Sequence, residues 1–163
     1  HAVARAWSLR GPQTLLSTVF VNAAGARDVD DLLAGLVRGR YFLDARHARL
    51  VFEAAETGDD VANLAVDWAG RQLGELANGV IRQLELGDQP FELVLSGSFF
   101  RGSPRLQTLI EEVVTATAPG AQTIRLQAPP VIGGVLLAME SAGAVTPQIR
   151  QLLRESGAKI RAE

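Results

Sequence analysis

From Thr14 to Leu86 apolar residues recur at steps of three and four, and beyond Phe91 they come in short runs bounded by Gly, Pro and Ser. The first rhythm is that of amphipathic helices, the second that of strands alternating with helices. Thr14-Leu15-Leu16-Ser17-Thr18-Val19-Phe20-Val21 follows a Gly11-Pro12 break and runs into the small residues Asn22 to Gly25, which predicts a short helix with a hydroxyl start and a glycine stop. Asp28-Val29-Asp30-Asp31 puts three carboxylates where a helix dipole favours them, and Leu32, Leu33, Leu36 and Val37 carry an apolar stripe on towards Gly39. A third helix is predicted over Ala45 to Glu56, with Ala48, Val51, Phe52 and Ala55 on one face. The strongest periodicity runs from Asp59 to Leu86, where Val61, Leu64, Trp68, Leu76, Val80 and Leu84 mark one long helix, begun by Gly58-Asp59-Asp60 and stopped by Gly87-Asp88. That stripe reads as the face the helix turns to the core.

After Gly87 the grammar changes. Phe91 to Leu95 predicts a strand ending in Ser96-Gly97-Ser98, Pro104 opens a helix to Thr117, and Pro119-Gly120 breaks it. Gln122 to Leu126 alternates like a strand, and Pro129-Pro130 leads into a helix over Val131 to Met139. Such a crossover is expected to be right-handed, with its strands parallel. A last helix is predicted from Thr146 to Ser156, stopped at Gly157. The expected fold class is α/β in a single lobe over 1–163: a helical section (1–88), a strand-helix-strand-helix section (89–145), and a C-terminal helix and tail (146–163).

Composition narrows the chemistry. At 163 residues the chain is long enough to bury a core without staples, and 16 basic against 18 acidic residues leave no excess to neutralise a nucleic acid backbone. Zero Cys excludes a disulfide scaffold, a thiolate metal site and a cysteine nucleophile within this chain, and His1 and His47 are too few for a multi-histidine metal site. The apolar stretch Val131 to Met139 falls short of the about 20 residues that cross a bilayer. A start at His1 without a signal-peptide pattern reads as a piece of a cytoplasmic protein.

In an open α/β sheet, ligands bind beyond the carboxyl ends of the strands, where backbone N–H groups converge. Ser96-Gly97-Ser98 occupies that place, and its small residues would admit a flat ring or a phosphate; the plainer reading is an ordinary turn. Neither a P-loop Gly-Lys pair nor three spaced glycines is present. Gly133-Gly134 opens an apolar helix at a cost of about 1 kcal/mol per glycine, which favours tight packing on the sheet over approach to a nucleotide. Phe99-Phe100-Arg101 offers stacking on a base, with one phenylalanine expected in the core. His47, between Arg46 and Arg49, reads as a surface histidine, and Asp59 and Asp60 as helix-start carboxylates. No residue is assigned as catalytic or as a metal ligand.

Arg10-Gly11-Pro12-Gln13-Thr14-Leu15, Ala55-Glu56-Thr57-Gly58-Asp59-Asp60-Val61-Ala62, Leu93-Val94-Leu95-Ser96-Gly97-Ser98-Phe99 and Ala128-Pro129-Pro130-Val131-Ile132-Gly133-Gly134-Val135-Leu136-Leu137-Ala138 stand in an order with a precedent. Together they resemble the C-terminal lobe of the BadF/BadG/BcrA/BcrD-type ATPase family, which includes the N-acetylglucosamine kinases, over nearly the whole chain up to Gly143. The resemblance implies an incomplete ribonuclease-H-like (actin-like ATPase) lobe of the sugar kinase, actin and Hsp70 superfamily. It implies an adenosine motif at Ser96, Gly97 and Ser98 with Phe99 beside it, ATP and Mg²⁺ as cofactors of the intact protein, and an amino sugar as acceptor; a homodimer belongs to the alternative reading of the chain as a dimerisation module. The family's first phosphate loop, Mg²⁺-associated carboxylate and catalytic Asp lie in another lobe, so this lobe alone is not expected to transfer phosphate. Activator ATPases of the family hold an iron–sulfur cluster through cysteines, and zero Cys favours the kinase branch. Ser96 replaces the first of two glycines more usual there, and Ser8-Leu9 replaces an Asp-Gly pair. These departures motivate the alternative of a non-catalytic helical interaction or dimerisation module.

Overall fold

The computed structural model describes residues 1–126 and 128–160. Residues 1–91 with 98–122 form one compact unit, and 92–97 with the described residues from 123 onward form a second. The helices are α1 (Ala2–Trp7), α2 (Leu15–Ala24), α3 (Val29–Val37), α4 (Ala48–Glu56), α5 (Asp60–Gln83), α6 (Pro104–Thr115), α7 (Pro130–Ser141) and α8 (Pro147–Ile160). The strands β1 (Phe91–Leu95) and β2 (Ala121–Arg125) pair as a small parallel sheet. The chain is thus helix-rich α/β.

In the first unit, helix starts are set by caps that the sequence displays. Thr14 accepts the N–H of Leu16, Asp28 that of Asp31, and Asp59 that of Ala62 at 2.7 Å. Asp59 also accepts the N–H of Leu15 at 2.6 Å and the Thr14 hydroxyl at 3.0 Å. One carboxylate therefore closes the N-termini of both α2 and α5, where their dipoles favour negative charge. Burial works to raise its pKa, but the donors from Leu15, Ala62 and Thr14 outweigh that and hold it below the ordinary carboxylate value. The first helix, α1, carries no start signal in the sequence; it is held by burial of Val3 and Ala6 and by the Trp7 indole N–H donated to Asp30.

The long helix forms nearly where its period predicts, yet it is rotated by half a turn from the expected orientation. Leu64, Trp68, Leu76, Val80 and Leu84 are all exposed, and Ala62, Val66, Gly70, Gly74, Asn78 and Ile81 are buried instead. The reason is close approach. A Cβ at Gly70 would lie 2.9 Å from Leu109 Cβ, and one at Gly74 2.7 Å from Val113 Cβ, so α6 packs where only small residues leave room. Asn78 donates to the Val113 carbonyl (3.1 Å), and a fork from Arg105 to Asp67 joins the same two helices. Large apolar residues marked the wrong side because size, not hydrophobicity, decides this contact.

In the second unit the Leu126 N–H continues the ladder to Leu95 O at 2.9 Å, and α7 is followed by α8. Two expectations fail here. Neither Gly133 nor Gly134 has an atom within 4 Å of where a Cβ would stand, so tight packing does not account for them. The last helix also does not stop at Gly157 but continues to Ile160, since an interior glycine costs only about 1 kcal/mol.

Candidate functional site

Ser96 and Gly97 follow β1 and are exposed, in the second unit. Gly97 has φ +119° with open space around its missing side chain, so backbone conformation, not crowding, is what requires glycine there. Ser98 opens a 3₁₀ helix, Ser98–Arg101, in the first unit. Phe99 is 37% exposed; its ring centroid lies 5.3 Å from that of Phe52, tilted by 60°, and 5.9 Å from that of Phe100, nearly edge-on. Phe100 is half-buried, and neither member of the pair is a core residue. The buried ring at this place is Phe52, which packs with Val66 and Leu106.

Within the first unit, Ser98 and Phe99 line an open cleft of about 1250 Å³ whose other walls come from α2 (Val19, Asn22 and Ala23) and from the segment running into α4, with Arg46 and His47 ahead of the helix and Arg49 and Phe52 on it. A 3₁₀ helix, Ala45–His47, precedes α4 and is closed by a capping box: the Asp44 side chain accepts from the helix start while the Asp44 N–H donates to His47 Nδ1 at 3.1 Å. This corrects the reading of His47 as a plain surface residue, because the ring is a cap and part of the cleft wall. The Arg46 guanidinium grips Asp44, holding its carboxyl well below the ordinary value. Arg49 makes no salt bridge among the described residues, and Glu53 is the carboxylate of the lining. Aromatic edges beside an unpaired cation suit a planar ring that carries negative charge.

The four residues singled out from the sequence are contiguous, so their grouping was legible. The facing wall was not: the spacing puts Phe52 on one face with Ala48, Val51 and Ala55, and nothing in it directs Arg46 and Arg49 towards residue 98. Only the fold shows that this helix start lies across from residue 98. Among the described residues no group of three or more His, Asp or Glu side chains is placed to hold a metal ion. No helix among them is long and apolar enough to cross a membrane.

No family model matches the chain. The chain is similar to an N-acetyl-D-glucosamine kinase from Dictyostelium discoideum, with 28% identity over 135 residues, 80% of this chain and 42% of that protein. It thus spans less than half the length of this relative, and the similarity supports a sugar-kinase-like relationship.

Proposed function

We propose that this chain is part of an ATP-dependent amino-sugar kinase and that it holds the adenosine end of ATP. The carrying observation is the 135-residue similarity to N-acetyl-D-glucosamine kinase. The cleft supports the reading chemically. A purine would pack against Phe99 and Phe52, the Ser98 hydroxyl would hydrogen-bond to it, and Arg49 would face the anionic tail.

Phosphoryl transfer is positioning and charge neutralisation around an aligned acceptor. On this reading the metal-bound phosphates and the aligned acceptor would be held with the help of further polypeptide of the same kinase. The test is titration of the intact protein with MgATP and an ADP-release assay across amino sugars. Phe99→Ala should weaken ATP binding about tenfold or more, the worth of a lost stacking contact, with the circular dichroism spectrum unchanged. Unchanged affinity in that variant would count against the site. Sugar-independent hydrolysis would point to an activator-type ATPase, and absence of nucleotide binding to an interaction module.

A further inference from the structure

A ridge of large apolar residues winds along α5 and its C-cap: Leu64 (65% exposed), Trp68 (66%), Leu76 (69%), Val80 (53%) and Leu84 (62%). They lie on a four-residue step in which Gln72 fills the one gap. Each step of four turns the helix by about 40° beyond a full turn, so the ridge winds through about 200° between Leu64 and Leu84. The buried ridge, Ala62 to Asn78, has the same step. Covering it takes two elements: Phe52 of α4 and Leu106 of α6 at Val66, then α6 alone at Gly70 and Gly74. Rotating α5 to hide its large residues would drive them into the glycine-width contact with α6, so their exposure is not a helix turned the wrong way.

Single exposed leucines need no explanation, but a ridge of five large apolar side chains, interrupted only by Gln72, marks a surface that is covered in the working protein. Its winding says what kind of cover fits. A single crossing helix would meet only the two or three ridge members nearest the crossing point and leave the others in water. A layer of several elements covers all of them, as happens on the buried side. The chain spans 42% of its kinase relative, so more than half of such a protein's length lies elsewhere.

We infer that the Leu64–Trp68–Leu76–Val80–Leu84 ridge of α5 is an internal interface, covered by polypeptide of the same protein that lies outside this chain. The inference rests on the length relation to the kinase and not on the nucleotide site. Hydroxyl-radical footprinting of the intact natural polypeptide, read at Trp68 and Leu76 by mass spectrometry with light scattering on the same sample, tests it. The expected result is at least tenfold protection of both residues, relative to the urea-unfolded protein, in a species of monomer mass. Reactivity close to that of the unfolded chain, or protection only at concentrations where dimers form, would overturn it; the latter would assign the ridge to a second copy. As a separate readout, Leu76→Ser should lower the melting temperature of the intact protein, and an unchanged value would also contradict the inference. Titrating the footprinted sample with MgATP keeps the two readings apart, because a kinase site can fail while the ridge stays protected.

Discussion

Asp59 illustrates how one side chain sets the relation between distant segments. Its carboxylate serves the start of α5 through Ala62 and the start of α2 through Leu15 and Thr14. Each helix cap is worth about 1 kcal/mol. Asp59→Ala should therefore cost about 2 kcal/mol in urea denaturation, twice the loss expected from Asp28→Ala, which removes a single cap. Asp31 is a buried carboxylate of a different kind: it accepts from the Tyr41 hydroxyl (2.7 Å), the Arg27 N–H (3.2 Å) and Arg40 (2.7 Å), and these donors, Tyr41 foremost, hold its pKa far below the ordinary value. A depressed folded-state pKa contributes stability that is complete above the unfolded-state value, near ~4, and is lost as the pH falls below it. Melting temperature should thus be flat from about pH 8 to 5 and drop below about pH 4. Asp31→Asn should start lower and fall less steeply over the acid range; an acid slope as steep as that of the unaltered protein would contradict this role.

At the scale of elements, the sequence displays boundaries better than orientations. Thr14, Asp28, Asp59 and Pro104 each announce a helix start, because unsatisfied N–H groups select those residue types whatever the helix later packs against. Which face α5 buries depends on how near α6 comes, and nothing local to α5 specifies that distance. The same limit hides half of the candidate site. Ser98 and Phe99 are adjacent in the chain, whereas Arg46 just ahead of α4 and Arg49 and Phe52 on it lie across from them only once the first unit has folded. Gly74→Val tests the packing account: overfilling the contact with Val113 should cost about 1–3 kcal/mol, measured by chemical denaturation. Gly79→Ala, on the same helix with open space around the site, should instead be neutral or slightly stabilising.

At the scale of the whole molecule, the exposed ridge of α5, the two-stranded sheet and the span of less than half the kinase relative are the three observations that the proposed covering of the ridge would account for together. On the proposed reading the chain contributes the adenosine site of a kinase whose remaining machinery lies elsewhere. The most direct measurement is calorimetric titration of the intact protein with MgATP, followed by ADP release across a panel of amino sugars, for the unaltered protein and for Phe99→Ala. Saturable ATP binding, sugar-dependent turnover, and an affinity about tenfold weaker in the variant are the predicted results. Absence of nucleotide binding by the folded, unaltered protein would contradict the account.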